Sequence, residues 1–290
     1  MLGVYLSPRP SGGSRPRFAI QSGYTLVEIM VALTLGLVVM LGVIQVFIST
    51  QQSARIQQAA SRMQEDGRMA MALISRYFRM GGYTTYPWDK GSTVWSAAIN
   101  ARGFPAVAGI FAAGQIVAGS TVNGADAIRL RYQGADDGSV TTCLGRIIPA
   151  NQMGDITLSL SPANPPQGRA LLCTDNNNPG GAITQPLVAG LQGMTIRYGL
   201  SQGVNGIDAN GRLRGATAYV TGPQVPANQW SRVIGLRVSL LVQSDQDELT
   251  LQPQTITFNG ANINAGPNPA PDRRMRYVMG TTINVRNQAP

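Results

Sequence analysis

The sequence predicts an α+β protein: one long N-terminal helix, then an antiparallel sheet with no helices between its strands. Three observations predict it. From residue 25 to residue 80 there is no proline, and the interior glycines Gly36, Gly42 and Gly67 stand alone. Beyond residue 80, apolar and polar residues alternate in short runs, which is the period of a strand. No segment between those runs has the apolar period of a crossover helix, so the strands must pair antiparallel.

The helix changes character at Arg55. Residues 29–54 carry no charge, and residues 29–48 hold 13 Leu, Ile, Val or Phe. A bilayer span takes about 20 apolar residues. One carboxylate, Glu28, stands at the start of this stretch, and the only charges before it are Arg9, Arg15 and Arg17. An acid at a bilayer centre costs roughly 2.5–3.5 kcal/mol and less near an interface. Each large apolar residue contributes around −0.3 to −0.6 kcal/mol, so insertion still prevails. A tolerated acid in that place is by default a functional residue in need of a partner. After Arg55, the residues Ile56, Ala60, Met63, Gly67, Ala70, Ile74 and Tyr77 follow steps of four and three. Arg, Gln, Glu and Asp surround them, so this stripe is the face on which the sheet packs. Gly81-Gly82 supplies a left-handed helix stop.

Residues 83–122 read as a long irregular connection with Pro87 and Pro105, anchored by Trp88, Trp95 and Phe104. Strands are expected at 128–132, 156–160, 194–198, 233–242, 249–251, 255–258 and 277–285. Turn clusters at 175–181 and 205–211 separate some of them.

Composition excludes more than it suggests. There is no histidine, no Gly-x-Ser-x-Gly elbow and no phosphate loop, so neither catalysis nor a cofactor is expected. One lysine, Lys90, stands against 22 arginines in a chain of net charge +9, or about +6 without the three N-terminal arginines. The arginines are scattered, and the densest group is Arg273-Arg274-x-Arg276. Solvated strand faces explain that pattern better than a polyanion-binding stripe, so nucleic acid is not an expected partner. Asp208-Ala209-Asn210-Gly211, with Asn205, has oxygens at a calcium-like spacing but lacks the other loop elements. A β-turn fits better, and no metal is expected. Trp230, Tyr198 and Tyr219 could form a stacking platform, though core or sheet-face packing is the commoner use. Cys143 and Cys173 both lie beyond the apolar span, in what would be an oxidising compartment. One disulfide closing a loop of about 30 residues would add roughly 3 kcal/mol; the alternative is two separate buried thiols.

The run Gly23-Tyr24-Thr25-Leu26-Val27-Glu28, continued by Ile29-Met30-Val31-Ala32-Leu33 behind a basic leader, resembles the class III signal of the type IV pilin and pseudopilin superfamily. A Sec signal has a shorter apolar core and a small-x-small cleavage site. An ordinary single-span anchor explains the length and the arginines but not the motif. The resemblance implies the type IV pilin fold and cleavage by a prepilin peptidase between Gly23 and Tyr24, with N-methylation of Tyr24. It implies a leader at 1–23, a transmembrane and later filament-core half-helix at 24–54, an amphipathic half at 55–82, and a periplasmic β domain at 83–290. Glu28 becomes the fifth mature residue and serves assembly, pairing with the Tyr24 ammonium of a neighbouring subunit. Tyr24 stands where phenylalanine is usual, and a leader of 23 residues is long for the superfamily.

Further on, Leu171-Leu172-Cys173 and Gln185-Pro186-Leu187-Val188-Ala189-Gly190-Leu191 precede Ile196-Arg197-Tyr198-Gly199. These segments are similar to the PilW group of minor pilins. So are Trp230-x-x-Val233-Ile234-Gly235-Leu236-Arg237 and the terminal Asp272-Arg273-Arg274 with Thr282-Ile283-Asn284-Val285-Arg286-Asn287. The helix lacks the proline that many major pilins carry, which suits an accessory subunit. The resemblance implies a minor pilin that primes type IV pilus assembly at or near the tip. Its implied partners are prepilin peptidase, other minor pilins, the major pilin, a tip adhesin, the inner-membrane assembly platform and, before assembly, inner-membrane lipid. A J-type pseudopilin of type II secretion shares the build and is the alternative. A DNA-uptake component binding through Arg273, Arg274 and Arg276 is a weaker one.

Overall fold

Helix α1 runs Leu26–Met80, one residue inside the expected start and ending where Gly81-Gly82 stop it. The computed structural model describes residues 23–84, 104–163, 168–202, 215–264, 271–285 and 287. Outside these lie Arg9, Arg15 and Arg17, Pro87, Trp88 and Trp95, the cluster 205–211 and Arg286. The chain divides into two compact units, Met1–Gln51 and Gln52–Pro290.

In the first unit, the helix from Leu26 onward is exposed on every side. Leu33, Leu37, Val38, Leu41 and Phe47 are all more than half exposed. By length and composition this helix can cross a membrane. A helix that is apolar all round has its preferred surroundings in lipid or among other helices.

In the second unit, α1 buries Ala59, Met63, Gly67, Ala70, Met71, Ile74, Tyr77 and Phe78. The expected stripe holds at Met63, Gly67, Ala70, Ile74 and Tyr77. Ile56 and Ala60 are only half-buried, while Met71 and Phe78 widen the stripe, because a broad sheet takes a broad apolar face. At Gly67 the sheet comes close. The Tyr277 hydroxyl lies 2.5 Å from where a Cβ would stand, and it donates to the Met63 carbonyl at 2.8 Å.

Helix α1 ends as its glycines predict. The Gly81 N–H donates to the Tyr77 carbonyl at 3.0 Å, and the Gly82 N–H reaches the Arg131 carbonyl at 2.9 Å. Gly82 has φ of +77°. A Cβ there would stand 2.8 Å from Ile116 Cδ1 and 3.2 Å from the Asn287 carbonyl. Gly82→Val is therefore expected to lower stability by roughly 2–3 kcal/mol, from left-handed strain on a β-branched residue plus overpacking. Denaturant unfolding of the detergent-solubilised chain measures this. An unchanged midpoint would show that the turn yields freely.

Ten strands are described: β1 Val117–Val122, β2 Ala125–Gln133, β3 Met153–Leu160, β4 Arg169–Asp175, β5 Ile183–Leu200, β6 Ala218–Thr221, β7 Val233–Gln243, β8 Ile256–Phe258, β9 Ala261–Ile263 and β10 Arg276–Asn284. One sheet has the order β1-β2-β3-β4-β5-β7-β10, with β6 paired to β5, and β8 with β9 forms a separate hairpin. Every pairing is antiparallel. Strand β5 is long enough to serve several partners. Its first half pairs β4, and from Leu191 onward it pairs β7. Pro186, which has no N–H, sits in the half with β4 on one side only.

The structure corrects several expected elements. Residues 249–251 form no strand; the N–H groups of Leu249 and Thr250 both donate to the Arg273 carbonyl, each at 3.1 Å. The supposedly irregular stretch before residue 122 contains β1 and an isolated bridge between Val107 and Phe111. Small residues at Gly119, Ser120 and Thr121 hide β1 from an apolar-period search. Its signal was the Asn123-Gly124 pair, whose φ values of 53° and 73° make a two-residue hairpin turn. Asn259-Gly260 does the same between β8 and β9. Strands β4 and β6 were not expected, and β5 starts well before residue 194.

The core lies between the buried stripe of α1 and one sheet face, with Ile74 and Phe78 among Ile128, Leu130, Ile156, Leu158, Leu171, Ile196, Val238 and Leu240. Tyr198 belongs to it and meets Trp230 edge-on at 5.0 Å, so these two rings are packing residues.

Candidate functional site: the helix start and the disulfide-held loop

Thr25 shapes the start of α1. Its carbonyl accepts from the Ile29 N–H at 3.2 Å, and its hydroxyl oxygen accepts from the Glu28 N–H at 3.2 Å. Thr25 is thus the N-cap and Glu28 the third helical residue, where a negative charge also complements the helix dipole. The Thr-x-x-Glu spacing ahead of an apolar run is a readable capping signal, and the motif reading used only its glutamate. Gly23, Tyr24 and Glu28 are all exposed, Tyr24 by 80%. Among the described residues no cation pairs with Glu28.

In the second unit, Cys143 and Cys173 are joined, with Cα atoms 6.1 Å apart. Cys173 lies on β4, fully buried and opposite Leu158 of β3, while Cys143 sits in the loop between β2 and β3. Other ties hold that loop, among them the Gln133 side chain, which donates to the Ala150 carbonyl at 2.7 Å. The Tyr132 hydroxyl donates to the Thr141 carbonyl at 3.0 Å and the Tyr77 hydroxyl to the Thr142 carbonyl at 3.3 Å. The Arg146 guanidinium forks onto Asp175 at 2.7 and 2.9 Å, and that bonding raises the arginine pKa above its usual value. Burial pushes the Tyr132 phenol well up, so it stays a donor. The disulfide thus fastens the loop to β4, and the Tyr77 hydroxyl ties it to the end of α1.

Arg131 organises the segment ahead of β1. It is 1% exposed and donates to the carbonyls of Pro105, Ala112 and Gln115. The Phe111 ring centre lies 4.1 Å from its guanidinium carbon, and that of Phe104 lies 5.6 Å away. Burial pulls its pKa down to about 10, so it remains charged at neutral pH. Its alternation with Leu130 reads as a solvent-facing position in the sequence, but the 104–116 segment covers that face.

The C-terminal arginines are also used internally, contrary to the reading of solvated strand faces. Arg274 is 5% exposed and donates to the carbonyls of Ser244 and Asp245. Arg276 forks onto Asp272 at 2.7 and 2.6 Å, and its Nε donates to Gln192 at 2.7 Å. Burial opposes ionisation of Asp272, yet the bonds from Arg276 and the Arg274 N–H outweigh it and hold that carboxyl below its usual range. Arg273 alone faces outward, against Glu248 at 2.9 Å. A DNA contact through these three residues loses two of its three cations.

A capped apolar helix whose second half packs on an antiparallel sheet, with a disulfide-held loop, is the build that the resemblance to type IV pilins implies. Residues 19–44 match the prokaryotic N-terminal methylation motif. Residues 161–287 match the family described as Type IV Pilus-assembly protein W. The two matches together support a type IV minor pilin. Over 73 residues it is 36% identical to the pilin-like protein PilA3 of Thermus thermophilus, covering 25% of this chain and 30% of that protein's length. A solved type IV-like pilin from Thermus thermophilus has a TM-score of 0.41 and 13% identity, over 79% of this chain and 99% of that one.

Proposed function

We propose that this minor pilin primes type IV pilus assembly at or near the pilus tip. The observation that carries the reading is an uncovered apolar helix headed by an exposed Glu28 that no cation among the described residues pairs, on a chain whose C-terminal region matches the PilW family. Prepilin peptidase cuts between Gly23 and Tyr24 and methylates Tyr24. The apolar half-helix then holds the protein in the inner membrane, with the β domain in the periplasm. On assembly the helix leaves lipid for the company of other minor pilins and the major pilin. There Glu28 neutralises the Tyr24 ammonium of a neighbour. An unpaired buried charge costs several kcal/mol, so the pairing also sets the stagger between subunits. The assembly platform and a tip adhesin complete the set of partners.

N-terminal sequencing of the membrane-extracted protein tests the first step. The chain is expected to begin at Tyr24, and Gly23→Val to leave the precursor uncut. A mature N-terminus beyond residue 50 would mean a Sec signal and would sink the reading. Neighbouring genes separate a pilus role from that of a J-type pseudopilin, and the PilW match favours the pilus.

A further inference from the structure

The sheet has a second face, away from α1, and its side chains follow a different logic from the core. Val242, Tyr277 and Met279 point to the helix at Gly67. Residues of opposite parity therefore point away from it: Thr195 and Arg197 on β5, Ser239 and Arg237 on β7, Gly280 and Thr282 on β10. The register sets Arg197 directly opposite Arg237, in a row running Thr221, Arg197, Arg237, Thr282 across four strands.

Like charges directly opposite on one face destabilise a sheet pair. This pair stands without compensation, since no carboxylate among the described residues lies within ion-pair distance of either guanidinium. Both are held in place by neutral neighbours. Arg237 lies over the Tyr219 ring at 4.5 Å, and Arg197 donates to Asn259 Oδ1 at 3.3 Å. The surroundings form a shallow trough. At one end the Tyr219 ring lies over Gly199 with its hydroxyl near Gly235, and at the other the Phe258 ring lies over Gly193. The floor between them is Thr195, Ser239 and Gly280. Arg237, Gly280 and Thr282 are exposed, and Arg197 is half-buried.

We propose that this trough docks a protein partner through a pair of its surface carboxylates, received by Arg197 and Arg237. Two oriented forks one strand apart suit two carboxylates, each taken bidentately. A polyanion is the poorer match, because nucleic-acid affinity comes from many phosphate contacts and the described residues of this trough offer two cations without a carboxylate partner. A second copy presenting the same face would bring two more arginines and repel. The proposal is independent of Glu28 and of the priming role.

The test uses the full chain in an uncharged detergent, with a fluorescein-labelled peptide carrying four glutamates alternating with serines, followed by anisotropy at low salt. Saturable binding is expected. It should weaken about tenfold in Arg237→Gln and further in Arg197→Gln/Arg237→Gln, the scale of losing one bidentate charge-assisted contact at a time. Arg197→Lys/Arg237→Lys, which keeps the charge and loses the forks, should fall between. Arg79→Gln, at an exposed site on α1, should bind as the wild type does. Removing facing like charges should not lower the melting temperature of the glutamine pair, so a folding loss there would itself contradict the uncompensated placement. No saturable binding, or binding undiminished in the double variant, overturns the proposal. So does tighter binding of a single-stranded oligonucleotide of equal charge, with a salt slope well above two counterions.

Discussion

Glu28→Ala is expected to leave the protein in the membrane at near-normal abundance, cleaved after Gly23, while surface piliation falls at least tenfold. Insertion does not need the acid, since 13 large apolar residues in 29–48 outweigh it either way. Folding of the β domain does not need it either, because Glu28 belongs to the first unit and is exposed there. On the proposed function, the substitution removes the partner of a neighbour's Tyr24 ammonium. Breaking a buried charge pair costs about 3–5 kcal/mol, a factor of roughly 100 or more in subunit association. Glu28→Gln separates the two uses of the residue. It keeps a side chain able to complete the Thr25 cap but carries no charge, so it should fail in assembly as the alanine does. Thr25→Val tests the cap alone and should cost only about 1 kcal/mol of helix stability. The experiment is complementation of a strain lacking the native gene, with immunoblots of membrane fractions and counts of surface pili. Normal piliation by Glu28→Ala would make the carboxylate an incidental interface residue. Loss of the protein from the membrane would assign it to insertion instead.

Cys143→Ala/Cys173→Ala is expected to lower the stability of the β domain by about 3–4 kcal/mol. The cross-link closes a separation of 30 residues, for which chain entropy alone gives roughly 3.5 kcal/mol. Alanine at the fully buried Cys173 avoids an unsatisfied polar atom, so the remaining cost is a small cavity. For a domain of this size that corresponds to a melting temperature lower by about 6–16 °C. The loop should loosen more than the sheet, since Tyr77, Tyr132 and Arg146 still hold it but the covalent tie is gone. Hydrogen exchange across residues 134–152 reads that directly. A melting temperature within about 2 °C of the wild type would show that the loop's hydrogen bonds and ion pair suffice without the disulfide.

Much of this protein is legible before any coordinates. The helix from residue 26 to residue 80 follows from the absence of proline, and its stop from Gly81-Gly82. The change of character at Arg55 follows from where charge begins. Strands β2, β3, β7 and β10 show in their alternation because each has one face in the core. Strand β1 does not show, because Gly119-Ser120-Thr121 gives an edge strand little apolar pattern, though Asn123-Gly124 marks its turn. Strand β6 escapes because four residues are too few for a period to register.

What the sequence by itself determined is the set of local instructions: where a helix can start and stop, which half of it avoids water, and where a methylation motif stands. Those depend on neighbours a few residues away. Only the tertiary structure decided the fate of the arginines. Arg131, Arg274 and Arg276 look like surface residues in a strand pattern, yet each is buried because carbonyls or, for Arg276, the Gln192 side chain from distant segments reach it. Arg197 and Arg237 lie 40 residues apart, and pairing of β5 with β7 sets them side by side. Whether a cation is buried, paired or left facing an uncovered sheet depends on which backbone crosses it, and that is a long-range property no local pattern encodes.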